Sequence, residues 1–137
     1  IKDIFHLNHG HLEIIYVIQT VDLIGCLCMQ HILFELRGCP SELLDDSEFV
    51  VLALQVSAVH AKSKLIDINF HKFEPQGVTG LALLADSHIS IHTWPEKNLA
   101  MCDIFTCGVD AAPMEAVEYL SKQFQALDTT YTQHERV

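Results

Sequence analysis

From Leu65 to Thr106 the chain reads as four strands in succession with no helix between them. Leu65-Ile66-Asp67-Ile68-Asn69-Phe70 alternates apolar and polar residues as a half-buried strand does, and Pro75-Gln76-Gly77 turns it. Val78 to Ala85, Ser87 to Trp94 and Met101 to Thr106 read as three more. Upstream, His31 to Arg37 is a strand ended by Gly38-Cys39-Pro40, and Ser47 is expected to cap a helix from Glu48 to Lys62 with Val51, Leu54 and Ala58 at helical spacing. Gly108 and Pro113 announce a second helix, about Met114 to Ala126, with Ala116, Tyr119, Leu120 and Phe124 on one side. Asp128 to His134 is expected to add an edge strand. This order predicts an α+β fold, an antiparallel β-sheet with helices packed on one face. The bare face then calls for a partner, so a homodimer is expected.

A chain of 137 residues is one domain with room for a single core. Its formal charge of −10, with only 8 Lys plus Arg, excludes the basic surface that nucleic acid requires and is compatible with a cationic small molecule. Five cysteines, odd in number and without the spacing of a secreted scaffold, point to a reducing cytoplasm. Cys26-x-Cys28 with His31 is a partial ligand set, but the second pair of a zinc site is missing and no metal is expected. Ile14 to Met29 is apolar, yet Gln19 and Asp22 interrupt it and it is short for a span. It also lacks the basic start and cleavage site of a signal peptide, so no membrane association is expected.

Chemistry concentrates elsewhere. Gly77-Val78-Thr79-Gly80 opens a segment that continues as Asp86-Ser87-His88-Ile89-Ser90-Ile91-His92-Thr93-Trp94-Pro95-Glu96 and closes at Phe105-Thr106-Cys107-Gly108. So many hydroxyls and imidazoles are costly to bury and useful in a site. By residue type alone each has an ordinary reading. Ser87 is a turn hydroxyl, Thr79 a strand threonine, His92 a structural hydrogen-bonder and Cys107 a small buried hydrophobe. Likewise Phe73 is a core aromatic and Glu96 a surface acid.

The segment resembles the self-cleavage region of the prokaryotic S-adenosylmethionine decarboxylase proenzymes, the pyruvoyl-dependent enzymes of spermidine synthesis. The likeness includes Phe70-His71-Lys72-Phe73-Glu74-Pro75 and Asp103-Ile104-Phe105-Thr106-Cys107-Gly108, and runs more thinly from about His31 to about Arg136. It implies that the Ser87 hydroxyl attacks the Asp86 carbonyl, that the amide becomes an ester, and that β-elimination cuts the chain between 86 and 87. Residue 87 is then a pyruvoyl group. That ketone forms a Schiff base with the substrate amine and accepts electrons as carbon dioxide leaves, without pyridoxal phosphate.

By the same resemblance His92 is the base for elimination during processing, and Thr79 steadies the oxygen that develops charge. Cys107 is the acid that reprotonates the substrate carbon, a task suited to a thiol. Phe73 stacks on adenine and Glu96 accepts the ribose hydroxyls. The family protomers, each cleaved into β and α chains, pair sheet to sheet. One geometric condition applies: five residues along a regular strand put Ser87 and His92 on opposite faces, about 16 Å apart. Their contact requires a bend, a neighbouring strand or the partner protomer. His88, on the face of His92, is the weaker candidate for the base, and Ser90 has no assigned role.

Asp86 stands where the family has Glu, Lys97-Asn98-Leu99-Ala100-Met101 where it often shows tyrosines and a glycine, and Met29-Gln30-His31 where it begins Gly-x-His. Residues 1–28 are an atypical extension, either adding a strand at Ile14 to Ile18 or lying upstream of a true start at Met29; the second is expected. The domain proper is 29–137. Two other functions stand beside S-adenosylmethionine decarboxylation. One is a pyruvoyl-dependent arginine or ornithine decarboxylase, which would need an acidic anchor and no adenine platform. The other is an uncleaved, non-enzymatic partner, against which Ser87, His92 and Cys107 together speak.

Overall fold

The computed structural model describes residues 29–136. The extension 1–28, with its expected strand at Ile14 to Ile18 and the Cys26-x-Cys28 pair, lies outside them. The elements are β1 (Met29–Arg37), α1 (Ser41–Asp45), α2 (Ser47–His60), β2 (Leu65–Lys72), β3 (Val78–Leu84), β4 (His88–Trp94), β5 (Leu99–Cys107), α3 (Pro113–Gln123) and β6 (Asp128–Arg136), with a 3-10 turn at Pro95–Lys97. They form the expected antiparallel sheet with helices on one face. Its strand order is β2-β3-β4-β5-β1-β6. Three hairpins carry the chain from β2 to β5, and β5 then docks along the whole of β1.

Alternation sorts the residues. Ile32, Phe34, Leu36, Val78, Ala82, Leu84, Ile89, Ile91, Ala100 and Ile104 are buried towards the helices. Val50, Ala53, Leu54 and Ala58 of α2 and Ala116, Val117 and Leu120 of α3 meet them, and Phe49 packs edge-on against Phe124 at 5.1 Å. Gly80 allows α2 this close: a Cβ there would lie 2.7 Å from Leu54 Cδ1. Behind the sheet, the Thr93 hydroxyl donates to Leu44 O (2.7 Å) and accepts from Val78 N (2.8 Å), stitching α1 to β3 and β4. Asp45 accepts from Lys72 and, at 2.7 Å, from Gly77 N. The bond from Lys72, then that from Gly77, holds its carboxyl below the usual range.

The other face is bare. Leu33, Leu81, Leu83 and Met101 on it are between 41% and 47% exposed, among the side chains of His31, His88, Ser90, His92 and Asp103. Among the described residues no helix is long and apolar enough to cross a membrane.

Three local expectations are corrected. The helix cap is Asp46, not Ser47: its carboxylate accepts from Glu48 N and Phe49 N, both at 3.0 Å, and Ser47 is already the first helical residue. The buried stripe of that helix starts at Val50 rather than Val51, and the helix stops at His60. Strand β4 begins at His88, because Leu84 and Ser87 close a two-residue loop (Leu84 N to Ser87 O 2.9 Å, Ser87 N to Leu84 O 3.4 Å).

Losing a cap that satisfies two amides costs about 1 kcal/mol. Asp46→Ala should therefore lower the urea midpoint at fixed protein concentration, and Ser47→Ala should leave it nearly unchanged. The reverse order would return the cap to Ser47.

Candidate active site

The residues singled out in the sequence fall into two groups, one towards each end of β4. At one end of β4 the loop carries Asp86, exposed, and Ser87, half-buried. The Ser87 hydroxyl donates to the carbonyl oxygen of Asp86, and its Oγ lies 3.8 Å from Cys107 Sγ, at the end of β5. Because Ser87 belongs to the turn, strand alternation does not govern it, and its side chain reaches the face that carries Cys107. Cys102, on the same strand, faces the helices; burial pushes its thiol well above the ordinary range, and burial raises that of Cys39 to about 11. Both are inert packing thiols. Cys107 is the only partly exposed thiol among the described residues.

The second group sits towards the other end. Thr79 and His92 are register partners across β3 and β4, and Thr79 Oγ1 lies 2.9 Å from His92 Nδ1. Glu96, in the 3-10 turn after β4, accepts from Gln76 Nε2 at 3.2 Å. Phe73 is 46% exposed and stands edge-on to His71 with ring centroids 4.6 Å apart. The loop that presents it is closed by Phe73 N to Gly77 O at 2.8 Å and tied down by Asp45. Trp94 lies between, its ring 6.4 Å from that of His92 and 6.0 Å from Lys97 Nζ.

Ser87 thus meets Cys107, and Thr79 meets His92, but the two pairs stay apart. Strand β4 has 7 residues, hence a length of about 23 Å. Phe73 and Glu96 fall at the His92 end and Cys107 at the other. No bend or neighbouring strand brings Ser87 to His92 within one protomer.

Sequence reasoning passed over the group in between. Asp103, on β5, accepts from His31 Nε2 (2.9 Å), from His88 Nε2 (2.8 Å) and from the Ser90 hydroxyl. Burial pushes its carboxyl up, and hydrogen bonds from Ser90, His31 and His88 more than reverse this, leaving it below the usual range. Phe105 packs against both imidazoles, with centroids at 5.5 and 6.1 Å. The available signal was an aspartate in mid-strand, where that residue is uncommon, two positions from Phe105 and four from Cys107 on the same face.

The chain matches the S-adenosylmethionine decarboxylase family over residues 30–137. A proenzyme of that name from Thermoanaerobacter sp. (strain X514) is 42% identical over 107 residues, covering 78% of this chain and 86% of the relative. Another, from Synechococcus sp. (strain WH7803), is 46% identical over 99 residues, covering 72% and 77%. The crystal structure of the adenosylmethionine decarboxylase from Aquifex aeolicus VF5 superposes with a TM-score of 0.74 at 35% identity, over 80% of this chain and 91% of that one. Fold, matched length and identity agree, and the chain belongs to the S-adenosylmethionine decarboxylase family.

Proposed function

We propose that this protein is a pyruvoyl-dependent S-adenosylmethionine decarboxylase that makes its own ketone from Ser87, in a homodimer whose two sites are each built from both protomers. The observation that carries the reading is the Ser87 hydroxyl held against the carbonyl of Asp86, in an exposed two-residue loop beside Cys107. A nucleophile in contact with the group it is to attack needs little rearrangement.

The steps draw on the chain's own atoms and one water. Ser87 Oγ bonds to the Asp86 carbonyl carbon, the C–N bond breaks and the freed amine takes the hydroxyl proton. A base removes the α-proton of residue 87, the Cβ–Oγ bond breaks and Asp86 departs as a carboxylate. Water then replaces the nitrogen of residue 87, which leaves as ammonia. The resulting pyruvoyl group supplies an electrophilic carbonyl and an electron sink. The loop fits it, since residue 87 is reachable from solvent and Cys107 stands within contact to return a proton to the substrate carbon. His92, polarised against Thr79, is the base, and Thr79 is the donor to the developing oxyanion. Phe73 and Glu96 take the adenine and ribose.

The roughly 16 Å between Ser87 and His92, five residues at strand rise, supports a composite site. Two sheets packed face to face about a two-fold axis can set the Ser87 end of one over the His92 end of the other. The exposed Leu33, Leu81, Leu83 and Met101 give that pairing its apolar contact. The thiols free among the described residues suit a reducing cytoplasm. An exposed aromatic, Phe73, on the loop whose Gln76 donates to the Glu96 carboxylate favours S-adenosylmethionine over arginine or ornithine, which need no platform.

Ser87→Ala should yield one intact, inactive chain. Cys107→Ala should still give two fragments on a denaturing gel while releasing carbon dioxide from labelled S-adenosylmethionine at least about a hundredfold more slowly, the usual scale for a lost proton donor. Arginine and ornithine should release none; turnover of either in place of S-adenosylmethionine would refute the substrate assignment. For the composite site, Cys107→Ala and Glu96→Gln chains should each be nearly inactive alone. Co-expressed, they should recover roughly a quarter of wild-type activity, since half the dimers are mixed and each holds one intact site. Recovery no greater than the sum of the two alone would place each site within a single protomer.

A further inference from the structure

Asp103 is the hub of the bare face. One of its oxygens receives both imidazoles, at 2.9 Å from His31 and 2.8 Å from His88, and the other receives Ser90. These donors are what makes a partly buried carboxylate tolerable. Three ligands of this kind are also of the types that hold a metal ion. Here, however, both nitrogens point at one oxygen at hydrogen-bond distance, so the three groups satisfy one another.

The position of the hub is what matters. His88 directly follows residue 87, the new chain end, and its register partner on β5 is Phe105, two residues before Cys107 on the same face. Before cleavage, residue 87 is held by its peptide bond to Asp86, by Ser87 N to Leu84 O at 3.4 Å and by Leu84 N to Ser87 O at 2.9 Å. Cleavage with loss of the nitrogen removes the first two. The new chain end is then tied by a single backbone hydrogen bond and by whatever fixes His88.

We propose that Asp103 is a positioning residue: by gripping His88 it keeps residue 87 opposite Cys107 once the chain is cut. The proposal rests on cleavage at 86/87 as read above. The hub acts after the cut, so it is needed for turnover and dispensable for cleavage. The T-shaped contact of His31 on Phe105 and the Arg136 guanidinium 5.5 Å from the same ring brace the platform from the β1 and β6 side.

The test compares wild-type protein with Asp103→Asn, His88→Gln, which keeps a donor, and His88→Leu, which keeps bulk without one. Fragment masses report cleavage, steady-state decarboxylation of S-adenosylmethionine gives kcat and KM, and hydrogen exchange follows the amides of residues 88–91. Asp103→Asn and His88→Leu should cut between 86 and 87 like wild type yet lose roughly tenfold to a hundredfold in kcat, the scale of a small misplacement, with KM little changed. Their 88–91 amides should exchange faster than wild type in the cut protein, and at the wild-type rate when Ser87→Ala keeps the chain whole. His88→Gln should restore most of kcat. Cleaved Asp103→Asn and His88→Leu with unchanged kcat and exchange overturn the proposal, as does a His88→Leu chain that stays whole, which would assign His88 to cleavage instead. Should Asp103→Asn not fold, the His88 pair decides alone. A wild-type chain that is never cut refutes the underlying reading rather than this one.

Discussion

The inner strands β1, β3, β4 and β5 show one row of side chains to the helices and the other row to the opposite side, and the helices cover only the first. That one-sided burial governs the molecule. It draws Ile32, Phe34, Ile89, Ile91 and Ile104 inwards and sends His31, His88, Ser90, His92, Asp103 and Cys107 out. On the helix face polar residues are few: Thr93 finds partners in Leu44 and Val78, while the hydroxyl of Thr106 is buried without one. On the bare face hydroxyls, imidazoles and carboxylates can gather at lower cost, and they have gathered there.

The same geometry separates what it collects. A strand is stiff, so residues near its two ends remain roughly a strand length apart. Ser87 and Cys107 share one end of β4; Thr79, His92, Phe73 and Glu96 lie towards the other. The exposed apolar side chains Leu33, Leu81, Leu83 and Met101 lie on the same bare face, where an opposing sheet would cover them. The proposed dimer, a second copy laid across the first, would answer both.

Much of this was legible in the residues. Alternation from Leu65 to Thr106 carried the strands and their antiparallel order, and the run from Asp86 to Glu96 pointed to the candidate site. The misses are local or long-range. Asp46 and Ser47 are both good caps, and only the backbone at Asp46 decides between them. The five-residue α1 is too short for a periodic signal. Ser87 looked like the first residue of a strand because its neighbours alternate, but the bonds with Leu84 make it the last residue of a loop. The Asp103 hub joins residues 72 and 15 positions apart in sequence, through β1 docking beside β5, a pairing that no local pattern encodes.

The strand order carries a further consequence. A chain opened between Asp86 and Ser87 leaves β1, β2 and β3 on one piece and β4, β5 and β6 on the other. Across the sheet the pieces then alternate, with β1 clasped between β5 and β6 of the other piece. Three seams would have to unzip at once for the halves to part: β3 with β4, β5 with β1, and β1 with β6. A protein so severed would be woven rather than merely docked, covalent continuity surrendered at the loop while mechanical continuity persists throughout the sheet.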